Sequence, residues 1–183
     1  MRFEPLAIAG AFVVHLDEHR DERGSFARTW CADEFAAAGI DLVPVQCNLS
    51  RNTTAGTLRG MHFQRPPHAE GKLIQCVRGS LFDAFVDLRR DSPTFGTAGW
   101  VDLDADEGRL LYLPPGLAHG FVTTADRTDL WYGMGARYVD GAAAGLRWDD
   151  PDVAVPWPVS PTTLSERDAA LPLLSELPEE LLS

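Results

Sequence analysis

Residues 81–89, LFDAFVDLR, alternate in type along the chain. In an extended backbone Phe82, Ala84, Val86 and Leu88 share one side, and Asp83, Phe85 and Asp87 share the other. A face with two carboxylates and a Phe either meets solvent or lines a polar cavity. Similar short runs follow one another: 73–77 (LIQCV, ending at the turn Arg78-Gly79), 99–103, 109–114, 120–124 and 129–139. Strands at such regular spacing, separated by turn residues, predict an all-β sandwich or barrel. Residues 7–16 (AIAGAFVVHL) read as a further strand, and 21–26 (DERGSF) as a turn leading into another extended piece. One helix is expected at 31–39 (CADEFAAAG), which is Ala-rich, acidic early and closed by Gly39. The tail from Leu164 to Ser183 reads as helical and acidic, interrupted by Pro172 and Pro178. The chain shows neither an internal repeat nor a low-complexity linker.

A chain of 183 residues suits one domain, 1–183, with a core large enough to dispense with disulfides or a structural metal. Its net charge of −11 argues against a nucleic-acid partner, which usually meets a basic face. The charge does not argue against a phosphorylated small molecule, because a few arginines in a pocket can hold a diphosphate. Cys31, Cys47 and Cys76 are odd in number and widely spaced, so free thiols in a reducing compartment are expected. The first residues lack a small-residue cleavage site, and no apolar run approaches ~20 residues. Neither a signal peptide nor a membrane span is expected, and the cytoplasm is the expected location.

Two segments concentrate chemistry. LRGMHFQRPPHAEGK (58–72) brings Arg59, His62, His68 and Lys72 together just before a strand. LPPGLAHGF (113–121) carries Pro115, Gly116 and His119 as P-x-G-x-x-H between two strands. The second segment resembles a motif of cupins, double-sheet barrels with interior active sites. Metal-binding cupins pair it with H-x-H in the first motif, whereas this chain has Met61-His62-Phe63-Gln64. His62, His68 and His119 remain a conceivable three-His set, but His68 sits among prolines, and no metal is expected. A lone histidine is usually structural. Here the cations Arg59 and Lys72 flank it, which suits chemistry that builds negative charge. On position alone, Asp168 reads as a tail or helix-start carboxylate, Tyr132 as barrel packing and Asp83 as a structural acid. The residues by themselves lead to a cupin-like barrel with a small-molecule site around His62.

These strings also resemble the dTDP-4-dehydrorhamnose 3,5-epimerase family. The matches are DERGSF (21–26), LRGMHFQ (58–64), GKL (71–73), FDAFVDLRRDSPTFG (82–96), PPGLAHGF (114–121), RWDDPDVAVPWP (147–158) and LSERD (164–168), in the family's order. The resemblance implies a cupin-type jelly roll and metal-independent epimerisation at C3, C5 or both of a nucleotide-linked 4-keto-6-deoxy sugar, by a homodimer without a cofactor. It makes His62 the base, Asp168 its acid partner, Tyr132 the proton donor on the opposite face and Lys72 the cation near the C4 ketone. It assigns Arg59, His119 and the Gln46-x-Asn48 string to substrate binding and Asp83 to the pocket lining. Arg23 and Arg167 would grip the diphosphate, Tyr138 would stack on the base, and Phe26 and Arg28 would also face substrate.

The chain departs from the family at Arg28 and near Ala143, where glutamates are usual, and at Gly133 after the tyrosine. A guanidinium donates where a carboxylate accepts, so a CDP- or GDP-linked sugar becomes a candidate beside the dTDP-linked one. Two rivals stand: a metal-dependent cupin enzyme, and a non-catalytic sugar-nucleotide-binding barrel.

Overall fold

The structure, a computed structural model, describes residues 1–182. Two sheets face each other. The larger contains, in spatial order, β1 (Arg2–Pro5), β2 (Phe12–His15), β10 (Arg109–Leu113), β7 (Lys72–Arg78), β12 (Thr128–Met134) and β5 (Gln46–Asn52). The smaller contains β13 (Ala143–Gly145), β6 (Leu58–Gln64), β11 (Leu117–Thr123), β8 (Ser80–Asp87) and β9 (Ala98–Asp104). β3 (His19–Asp21) and β4 (Gly24–Phe26) pair only with each other. The neighbours within each sheet run antiparallel. This is the expected all-β architecture, a jelly roll of the cupin type.

The alternation along β8 explains how the layers form. Leu81 and Phe85 point between the sheets, where they meet Ile74, Leu111, Leu113, Phe121 and Leu130. Phe82, Ala84 and Val86 point outward and are covered by Val153, Trp157 and Leu177 of the C-terminal segment. On the other side of the molecule, Phe35 of α1 (Ala32–Ala37) covers Val14, Leu73, Leu110 and Tyr112 of the larger sheet. β8 is therefore buried on both faces, and its carboxylates must find partners inside the protein. Asp87 accepts from Arg89 Nε at 2.8 Å, Ser92 Oγ at 2.6 Å and Thr94 Oγ1 at 2.7 Å. These donors outweigh burial and hold its carboxyl down to about 2.

Several expectations change. Residues 7–16 are not one strand: Ala11 N–H bonds Ile8 O at 3.0 Å around Gly10, whose φ is +83°, so only Phe12–His15 is extended. The 58–72 segment does not merely precede a strand, since its first half is β6. The run 129–139 leaves the sheet after Met134. In the tail, α2 spans only Glu166–Ala169, followed by single 3₁₀ turns at Leu174–Glu176 and Glu179–Leu181. Pro172 and Pro178 lack the N–H that a continuous helix needs, and Leu174, Leu177, Leu181 and Leu182 pack on the smaller sheet instead. Ser183 lies outside the described residues. The three cysteines are free. Among the described residues, no helix is long and apolar enough to cross a membrane.

Candidate active site

Between the sheets lies a cavity of about 300 Å³. The smaller sheet contributes Arg59 and His62 from β6, and His119 and Phe121 from β11. The larger sheet contributes Asn48 and Ser50 from β5, Lys72 from β7, and Tyr132 and Met134 from β12. Along β5, β11 and β12 the lining residues are two apart, so one pleat face of each supplies the wall, while Arg59 and His62 are three apart across the register shift between β6 and β11.

β6 and β11 approach unusually closely behind the histidines. A Cβ at Gly60, where φ is +131°, would lie 2.4 Å from Gly120 Cα. His62 and His119 face each other in register across this pair. His62 Nε2 lies 2.7 Å from Asp168 Oδ1, while Asp168 Oδ2 accepts the Gly60 N–H at 3.2 Å. Asp168 is brought there by α2, whose N-cap Ser165 hydroxyl accepts the Asp168 N–H at 3.0 Å. An ionised carboxylate only accepts, so the ring nitrogen facing it carries hydrogen and the other carries the lone pair. Burial lowers the His62 pKa, and the opposing pull of Asp168 does not cancel that shift. The imidazole is thus held in its basic form near neutral pH.

His119 stands on Asp83. Its Nε2 is 3.1 Å from Asp83 Oδ2, while Asp83 Oδ1, 2.9 Å away, is buried without a hydrogen-bond partner. Burial raises the Asp83 pKa, against the pull of His119 and Lys72. The Tyr132 ring meets the His119 ring edge-on, with centroids 6.0 Å apart. Burial, reinforced by the Asp83 charge, drives the Tyr132 phenol far above its ordinary pKa, so it keeps its proton. The Lys72 ammonium is 2.7 Å from Glu70 Oε1 and 3.5 Å from the His62 carbonyl oxygen. Arg59 Nε donates to Asn52 Oδ1 at 2.9 Å.

Of the residues singled out in the sequence, Asn48, Arg59, His62, Lys72, His119 and Tyr132 therefore line one cavity. Asp168 and Asp83 stand behind its two histidines. Gln46 does not line the cavity, but its Nε2 donates to Oδ1 of the lining residue Asn48 at 3.2 Å, while its Oε1 accepts the N–H of exposed Tyr138 at 3.1 Å; Arg167 is exposed beside Asp168. Arg23, Phe26 and Arg28 do not reach this cavity within one chain; they border separate surface depressions around the β3–β4 hairpin. Ser50, Phe121 and Met134 line it as well; no motif marks them, but each lies two residues from another lining residue, as period-two alternation requires. The three imidazoles do not converge, because His62 and His119 each face a carboxylate and His68 is exposed. Among the described residues no three His, Cys, Asp or Glu side chains gather as a metal would require. A larger depression, about 400 Å³, runs along Trp148–Ser160, but its buried Asp150 is spent on the backbone N–H groups of Asp152, Val153 and Leu174.

Known proteins share this sequence pattern and fold. Residues 5–176 match the dTDP-4-dehydrorhamnose 3,5-epimerase family. The dTDP-4-dehydrorhamnose 3,5-epimerase of Sinorhizobium fredii is 40% identical over 179 residues, covering 97% of this chain and 92% of that protein. The Bacillus anthracis enzyme of the same name, crystallised with TDP and PPi, superposes with a TM-score of 0.92 at 38% identity, covering 94% of this chain and 99% of that one. The dTDP-6-deoxy-D-glucose-3,5-epimerase of Legionella pneumophila, in complex with dTDP-4-keto-L-rhamnose, superposes with a TM-score of 0.94 at 33% identity, covering 99% and 96%. A match along nearly the whole chain, carried on the same pair of sheets, means that the chain belongs to the dTDP-4-dehydrorhamnose 3,5-epimerase family.

Proposed function

We propose that this protein epimerises C3, C5 or both of dTDP-4-dehydro-6-deoxyglucose in deoxysugar biosynthesis. The observation that carries the reading is a carboxylate-backed His62 on one sheet and Tyr132 on the sheet opposite, both lining one cavity. A sugar ring lying between the sheets presents one face to each.

His62 removes the proton from the carbon beside the ketone, and the C–H electron pair moves into an enolate with its charge on the C4 oxygen. Asp168 fixes the imidazole tautomer and stabilises the imidazolium. The Lys72 ammonium stabilises the oxyanion. Tyr132 then delivers its proton to the same carbon from the other face, which inverts the centre. Exchange with solvent afterwards returns a proton to Tyr132 and removes one from His62. His119, backed by Asp83, and Arg59 serve as binding groups, with Gln46, Asn48, Tyr138 and Arg167 around the nucleotide end. None of these steps calls on a metal or a cofactor.

The dTDP assignment follows the ligands of the relatives. Arg28 does not call for another base, because its guanidinium is tied to Glu34 Oε1 at 2.8 Å. A carboxylate acceptor therefore stands beside the new donor. We also place the protein in the cytoplasm as a homodimer. The exposed hairpin supports the dimer: Phe26 is 74% exposed and the Arg23 side chain 83%, and the resemblance assigns both to a nucleotide that neither borders in its own chain. Nuclear magnetic resonance of dTDP-, CDP- and GDP-4-keto-6-deoxyglucose in heavy water with the protein tests the function. Deuterium should enter at C3, C5 or both of the dTDP sugar. No exchange with any of the three would overturn the epimerase reading, and a preference for CDP or GDP would overturn the nucleotide assignment alone.

A further inference from the structure

We infer that Glu70 is a positioning residue that holds the Lys72 ammonium at the cavity wall. The inference rests on the epimerase reading and adds to it a residue that does not itself line the cavity. Both partners are almost completely buried, with side-chain exposures of 8% for Lys72 and 4% for Glu70. Burying an ion pair seldom stabilises a fold more than apolar side chains of the same size would, so retention of this one calls for another role.

The hydrogen-bond geometry supplies that role. Glu70 Oε2 accepts the Gln64 N–H of β6 at 3.2 Å, while its Oε1 takes Lys72 of β7 at 2.7 Å. The carboxylate is thereby pinned to the smaller sheet and reaches across to a side chain of the larger one. A lysine ammonium has three donors on a flexible stem. Glu70 engages one, and the His62 carbonyl stands 3.5 Å away as the second acceptor. The third donor is left for a ligand in the cavity that Lys72 lines. Glu70 thus sets the ammonium at a fixed distance from the strand that carries His62.

The test is kcat for deuterium exchange and Kd for dTDP in Glu70 variants, with melting temperature as a folding control. Glu70→Met removes the acceptor at nearly constant size and should lower kcat on the order of 10- to 100-fold, because small misplacements at a reacting centre have effects of that size. Affinity for dTDP should stay within about threefold, since the nucleotide is held elsewhere. Glu70→Gln keeps an oxygen at the same reach and should recover most of kcat. Glu70→Asp keeps the charge but withdraws the oxygen by one methylene and should not. Should Glu70→Met fail to fold, the Gln and Asp variants decide alone. A Glu70→Met enzyme within about twofold of wild-type kcat, or an Asp variant more active than the Gln variant, would overturn the inference. Wild-type protein without any exchange would instead overturn the epimerase reading beneath it.

Discussion

A histidine works as a general base only while it is neutral, and at His62 burial lowers the pKa from 6.5 despite Asp168. The acidic limb of kcat/KM for the free enzyme should therefore fall below pH 6.5, with activity present above the limb and lost as pH drops through it. A limb above 6.5 would mean that Asp168 outweighs burial. Substituting His62→Ala should abolish solvent deuterium exchange and leave dTDP affinity within about threefold, because the base contributes to the transition state rather than to nucleotide binding. Near-normal exchange would remove His62 from this role. From the residues alone, His62 was suspicious for its cationic neighbours Arg59 and Lys72, but its partner Asp168 lies 106 positions away. Pattern and spacing have no means of joining such residues; the resemblance joined them. By contrast, Ser50, Phe121 and Met134 were within reach of strand periodicity, since each shares a pleat face with a residue already singled out.

At the scale of strands, the close crossing of β6 and β11 holds His62 and His119 in register. Substituting Gly60→Ala would place a Cβ 2.4 Å from Gly120 Cα in a backbone that favours glycine. The expected loss is on the order of 2–4 kcal/mol in unfolding free energy, with exchange activity reduced through displaced β6. The Asp87 network sits apart from the cavity and should affect stability alone. Its carboxyl is held at about 2, below the ordinary 3.8, so the stabilisation is present above pH ~4 and disappears as pH falls towards 2. Asp87→Asn should cost about 2 kcal/mol at pH 7, read by denaturant melts, and the gap from wild type should close in acid. Legibility followed burial. β8, β10 and β11 announced themselves because both of their faces are covered. β5 (QCNLSRN) did not, because it is an edge strand with polar residues facing the cavity. The tail misled because its leucines have helical spacing, yet the segment breaks at its prolines into single 3₁₀ turns that lay them on the smaller sheet.

For the whole molecule, the resemblance assigns Arg23 and Phe26 to a substrate whose cavity they do not border within one chain. A second copy solves this if each hairpin serves its neighbour, and light scattering should then report a dimer. Chains carrying Arg23→Ala and chains carrying His62→Ala, each inactive or weak, should regain about a quarter of wild-type activity after refolding together, since random pairing leaves that share of sites intact. No recovery would confine each site to one chain. Tyr132→Phe with dTDP-4-dehydro-6-deoxyglucose in heavy water, followed by nuclear magnetic resonance, tests whether a base and an acid act from opposite walls. His62 can still remove a proton and return it from its own side, so deuterium should enter beside the ketone with the original configuration retained. Inversion at the wild-type rate, or a folded variant that exchanges nothing, would contradict these roles of His62 and Tyr132.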